Sequence, residues 1–166
     1  MSLADTLLAE FDNETALTRR ALERAPGTAF GWRPHAKSFT LGELCTHIGR
    51  LPHWGTQILT HESYDVVRDA TPRADAAATP AEALALFDGH VAEARTRLTS
   101  MADVELSAVW SLKRNGTVLM STPRLAAFKQ YTLNHLIHHR GQLTVYLRLQ
   151  DVPVPPLYGP TADEAL

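Results

Sequence analysis

Two short stretches, Thr40-Leu-Gly-Glu43 and Thr79-Pro80-Ala-Glu82, constrain the fold of this 166-residue chain more than any other feature. Each reads as a capping box, in which the threonine hydroxyl and the glutamate carboxylate satisfy each other's free backbone N–H groups. Each therefore starts a helix, the second with proline at its first position, where a missing N–H is no loss. The helix opened by Thr40 is expected to reach about Thr60 and to kink at Pro52, which removes one N–H and crowds the carbonyl four residues back. The helix opened by Thr79 is expected to reach about Met101. A helix from about Ser2 to Arg24 precedes them, carrying Leu3, Leu7, Phe11 and Leu17 and stopped by Pro26-Gly27. A last helix, the longest, is expected from Thr122-Pro123 to about Gln150.

The connections differ in kind. Residues 61–78 form a long link containing Pro72, long enough to let the second and third helices run parallel. Residues 107–121 place two short apolar stretches around Asn115-Gly116, a hairpin turn signal. The tail from Asp151 to Pro160 is too rich in proline for a helix and too apolar to float free, so it is expected to lie over one end of the bundle. The expected fold is all-α, a four-helix bundle in a single domain over residues 1–166, with a small hairpin before the last helix.

Several function classes fall away. Formal net charge is −2 with no block of like charge, so the basic stripe of a nucleic-acid or anionic-membrane surface is missing. The single cysteine, Cys45, permits no intrachain disulfide and no cysteine-based zinc site. The N-terminus has no signal-peptide pattern, and no apolar run approaches the roughly 20 residues of a membrane span. A cytoplasmic location is expected.

Histidine is the anomaly. There are eight, and three lie within five positions, at 135, 138 and 139. At roughly 100° per residue, Leu125, Phe128, Leu136, Leu143, Tyr146 and Leu147 share one side of the last helix. His139 falls near the middle of that side, His135 toward its edge, and His138 faces away. In the second helix, Leu41, Leu44, Ile48, Leu51 and Ile58 define the buried stripe; His47 sits on its flank and His53 points outward. Two imidazoles four apart on one helix, completed by a third from a facing helix, can chelate one ion. Unpaired imidazoles on an apolar face would be costly. The expected site is therefore one divalent transition metal on His47, His135 and His139, zinc or nickel first and iron next, with a coordination position left open. A packed, metal-free histidine cluster is the alternative. The HExxH signature is absent because Leu136 follows His135, and neither a Gly-x-Ser-x-Gly elbow nor a phosphate loop occurs.

Three blocks of the chain carry a resemblance: Leu41-Gly-Glu-Leu-Cys-Thr-His47-Ile with Leu51-Pro-His-Trp54-Gly; Asn134-His135-Leu-Ile-His138-His139-Arg140-Gly141-Gln142-Leu143; and the tail from Tyr146 to Tyr158-Gly-Pro160. Through them the sequence resembles the DinB/YfiT-like family of bacterial proteins over nearly its whole length. The resemblance implies an up-down-down-up four-helix bundle with a long crossover between helices 2 and 3. It also implies three histidine ligands that map onto His47, His135 and His139, and a homodimer. Some similar proteins transfer or isomerise groups with a low-molecular-weight thiol such as bacillithiol or mycothiol.

The leading expectation is a metal-dependent enzyme acting on a small thiol or its conjugate. A non-catalytic, dimeric metal-binding bundle linked to stress response is the second. A metal-assisted hydrolase is the third; it needs a carboxylate, and Glu43, one turn before His47, is claimed by its capping box. Other residues carry paired readings. Arg140 can meet a substrate carboxylate or make a structural ion pair. Asn134 and Gln142 can orient the ligand imidazoles or bond to backbone. Trp54 and Trp110 can line a pocket mouth or pack in the core. Tyr158 has no position assigned by the sequence, and Cys45 reads as an inert core thiol.

Overall fold

Helices begin where side chains satisfy their first N–H groups. The computed structural model describes residues 2–66 and 76–165. Helix α1 (Leu3–Leu22) starts behind a capping box of Ser2 and Asp5. Helix α2 (Leu41–Thr60) starts behind the Thr40–Glu43 box, with the Thr40 N–H donating to Glu43 at 2.7 Å and the Glu43 N–H to Thr40 Oγ1 at 3.1 Å. Helix α3 (Pro80–Thr99) is capped by Thr79, but the Glu82 carboxylate takes the Ala78 N–H rather than that of Thr79, so this second box is only half formed. Pro72 lies outside the described residues.

Contacts set the directions. Arg19 meets Asp88 and Asp12 meets Arg95, so α1 and α3 are antiparallel. Thr46 meets Ala77, Gly49 lies over Ala83, and His53 stands beside His90, so α2 and α3 run parallel. Among the described residues no helix is long and apolar enough to cross a membrane.

The all-α four-helix expectation is wrong. A three-stranded mixed sheet, order β1-β2-β3, is built from β1 (Ser63–Asp65), β2 (Val109–Arg114) and β3 (Thr117–Pro123). The hairpin β2-β3 turns at Asn115 (φ 47°) and Gly116 (φ 78°), the two positive-φ positions a tight hairpin needs. Strand β1 is the unforeseen part. The hairpin leaves one edge of β2 with unpaired N–H and C=O groups, and the chain leaving α2 takes them in parallel, Ser63–Asp65 opposite Ser111–Lys113. Ser-Tyr-Asp carries no alternating apolar pattern, so only this tertiary pairing makes it a strand.

The last helix runs unbroken from Arg124 to Leu149, close to the expected bounds, but it is not α-helical throughout. It comprises α5 (Arg124–Phe128), a π-helical stretch at Lys129–Asn134, and α6 (His135–Leu149). A short α4 (Asp103–Ser107) precedes the hairpin. The tail does pack: Val154 joins the core, and Asp163 pairs with Arg148 while accepting from the Val154 N–H.

Two contacts dominate how α2 and α6 are held. At Gly55 a Cβ would stand 2.7 Å from Phe128 Cε2 and 3.3 Å from Thr132 Oγ1, so α2 and the π stretch approach as only glycine allows. Further along the rod, on the side of α6 that faces α1, Arg140 is 1% exposed and donates to the Glu14 carboxylate at 2.7 Å and to the Glu14 carbonyl at 3.0 Å. Tyr158 completes this network over the guanidinium, bonding both Arg140 and Glu14.

Two stability outcomes follow. Gly55→Ala is expected to lower stability by about 1–3 kcal/mol through overpacking against an immobile ring, outweighing the about 1 kcal/mol by which alanine favours a helix. Arg140→Leu is expected to lower it by about 3–5 kcal/mol because Glu14 stays buried without its partner. Denaturant titrations check both, and Glu14→Leu/Arg140→Leu is expected to lose less than Arg140→Leu alone.

Candidate metal centre

Helices α2 and α6 run antiparallel, so His47, nearly two turns into α2, faces His135 and His139 on the first turns of α6. A π-helical stretch, Lys129–Asn134, separates Phe128, which packs against Gly55, from the two histidines of α6.

The three imidazoles offer one nitrogen each, all within 4.8 Å of one another. The Nε2 atoms of His47 and His135 are 3.4 Å apart. Ring centres lie 5.2 Å apart for His47–His135, 4.4 Å for His47–His139 and 4.7 Å for His135–His139. A tetrahedral ion with nitrogens at about 2.0–2.1 Å spaces those nitrogens about 3.3–3.4 Å apart. The His47–His135 spacing matches that ion, and the His139 donor lies within 4.8 Å of both, so a small ring movement would bring all three onto it. All three donors are neutral nitrogens, a set that suits zinc, nickel, iron or copper.

The rings are oriented from behind. Gln142 Oε1 lies 2.7 Å from His139 Nδ1, so that nitrogen carries the proton and Nε2 is left with its lone pair. The other end of the same amide lies 3.2 Å from His138 Nε2, which pins its orientation. The Tyr131 carbonyl accepts from the His135 ring. Phe39 shields one side, with ring centres 5.5 Å from His47 and 6.5 Å from His139, and its carbonyl accepts from the Tyr146 hydroxyl.

Burial favours the neutral ring at His135 and His139. Burial, reinforced by His135 and His138, pushes the His139 imidazole down to about 4, against a smaller opposing effect of Gln142. Burial and then His138 lower His135. A cavity of about 380 Å³ opens beside His139, lined among others by Lys37, Phe39, Gln142 and Tyr146.

The remaining candidates separate cleanly. Gln142 touches a triad imidazole, whereas Asn134 is exposed. Arg140 and Tyr158 belong to the Glu14 network and not to the histidines. His138 faces out, and Trp110 is core. Trp54 is half-buried, with its ring 4.7 Å from Tyr64 and 6.1 Å from Tyr131. Cys45 is buried, and burial alone raises its thiol to about 12. Sequence reasoning missed Phe39 and the π stretch. Phe39 had a signal, an apolar residue just before a capping box.

In metal-stripped protein, histidine NMR is expected to show His139 titrating near pH 4 and His135 below its usual range, because burial disfavours the cation. The sign for stability follows: the unfolded imidazole protonates below about 6.5 while folded His139 resists until about 4. The apoprotein therefore loses stability as pH falls through that window, and more steeply than His139→Gln in thermal melts. Gln142→Leu is expected to weaken metal affinity about 10–100-fold, read by competition with a chromophoric chelator.

No functionally curated protein matches the chain. Among solved structures, a DinB-like protein of Bacillus subtilis, YjoA, aligns with TM-score 0.71 at 17% identity, covering 92% of this chain and 97% of that one. A DinB-like protein of Bacillus cereus aligns with TM-score 0.69 at 19% identity, covering 91% and 95%. At such identities the likeness speaks for the fold alone. The DinB family model, by contrast, matches residues 1–165, and on that match the chain belongs to the DinB family.

Proposed function

We propose that the chain holds one divalent ion, zinc or nickel ahead of iron, on His47, His135 and His139, and uses the site to activate a low-molecular-weight thiol for attack on an electrophile. The observation that carries the reading is the convergence of three histidine donors, one from each ring, within 4.8 Å. When bound, such an ion supplies the Lewis acidity that lets a thiol at its open position ionise near neutral pH. The protein's own part is to present three neutral imidazoles. Gln142 holds the Nδ1 proton of His139, the Tyr131 carbonyl steadies His135, and Phe39 covers one flank.

The chain does not supply the attacking sulfur. Cys45 is buried with its thiol raised to about 12, so the nucleophile enters with the substrate. Its S–H proton passes to solvent, its sulfur bonds to the electrophilic carbon, and the leaving group takes the displaced electron pair. The cavity of about 380 Å³ beside His139 matches a small-molecule site. A hydrolase has less support: the Glu43 carboxylate accepts from the Thr40 N–H at 2.7 Å and lies 3.9 Å from Arg33. A cytoplasmic homodimer remains part of this proposal; sedimentation equilibrium tests the pairing.

Elemental analysis of untagged protein is expected to find about one equivalent more in the wild type than in His135→Ala or His139→Ala. Equal metal in all three removes the site. Metal-loaded protein is expected to accelerate conjugation of bacillithiol or mycothiol to a generic electrophile over the apoprotein. Bound metal without any rate for either thiol replaces the catalytic reading with non-catalytic metal binding.

A further inference from the structure

A second histidine pair stands apart from the triad, on the seam where α2 and α3 run parallel. His53 follows Pro52 on α2 and is exposed; His90 on α3 is half-buried. Their ring centres are 5.1 Å apart, within the 4.4–5.2 Å span of the triad. Two imidazoles on one tetrahedral ion, with nitrogens about 2.0–2.1 Å from it, have ring centres about 5 Å apart. The spacing is therefore that of a shared ligand and needs no helix movement.

Both rings are braced. His90 Nδ1–H donates to the Gly49 carbonyl at 2.9 Å, which leaves Nε2 with its lone pair. The Gln57 amide nitrogen, one turn along α2, lies 3.1 Å from His53 Nε2, a bond that an ion on that nitrogen would replace. Burial first, and His90 second, lower the pKa of His53, and the charge of Glu93 acts in the opposite direction. Two imidazoles on neighbouring helices make a donor pair for a late first-row divalent cation.

We propose that His53 and His90 form a second divalent-cation site that bridges α2 and α3, with water completing the shell. It is separate from the triad. Six residues divide His47 from His53, about 9 Å of helix rise, so the two ions share no ligand. An ion held there would tie the two parallel helices together at the level of Pro52.

Untagged protein, stripped by chelator and titrated with zinc chloride, tests this by counting equivalents. The wild type is expected to take two. His53→Asn and His90→Gln are each expected to take one, and so is His135→Ala/His139→Ala, which loses the triad instead. His53 is exposed, so His53→Asn keeps the fold even if loss of the His90–Gly49 bond disturbs it; circular dichroism verifies both. A second equivalent that persists in His53→Asn overturns the proposal, because another surface group then holds it. A single wild-type equivalent that survives both substitutions overturns it too. Failure of the triad looks different: a single wild-type equivalent that disappears in His53→Asn.

Discussion

The close approach of α2 to the last helical rod, which has room only because residue 55 is glycine, is the constraint on which the metal centre depends. With a Cβ position 2.7 Å from the Phe128 ring, the two backbones stand as near as carbon contacts permit. Phe128 is fully buried and stacked edge-on against Phe11 of α1, so it cannot retreat. Two turns back along α2, the same crossing carries His47 to His135 and His139. An interior packed to crystal-like density transmits such a fixed point along both helices. Imidazole nitrogens 3.4 Å apart on different helices are therefore a consequence of where an aromatic ring meets a glycine.

That placement would be of little use if the rings were charged. Enclosure of His139, 9% exposed, makes the neutral ring the stable form, and the Gln142 amide then decides which nitrogen keeps the proton. Neither effect requires an ion to be present. The three donors are gathered without an ion, so one entering there would find a lone pair on His139 rather than a proton. Phe39 belongs to the same preparation. It extends the apolar surroundings over two of the rings while its backbone is tied to Tyr146 of α6.

Much of this was legible because it is local. Capping boxes act within four residues, so Thr40 and Glu43 announced α2 correctly. Asn115-Gly116 announced the hairpin because positive φ is a property of those residue types. The triad was legible because a face can be computed from helical phase, which placed His139 inward and His138 outward. What failed depended on distant partners. Ser63–Asp65 becomes a strand only because β2 offers an open edge nearly fifty residues along the chain. The π stretch lies where Phe128 and Thr132 pack against Gly55, and nothing in the sequence of Lys129–Asn134 marks it. Glu82 capped Ala78 rather than Thr79, a one-residue shift that helix ends commonly allow.

Adjacent residues of α6 divide the labour of the fold. His139 looks toward α2 and its fellow imidazoles, while Arg140, one position and about 100° further round, looks toward α1 and is sealed there by Glu14, Thr18 and Tyr158. A buried ion pair of this kind adds little net stability over apolar packing but penalises any rotation that separates it. Rotating α6 to relax the three crowded imidazoles would pull the guanidinium off the Glu14 carboxylate. The tail acts in the same direction, because Tyr158 bonds both partners and Asp163 anchors it to Arg148. The metal centre is thus held by two locks on one helix, glycine-limited packing on one side and a buried charge pair on the other. The triad geometry follows from their joint action, and neither lock contributes a ligand.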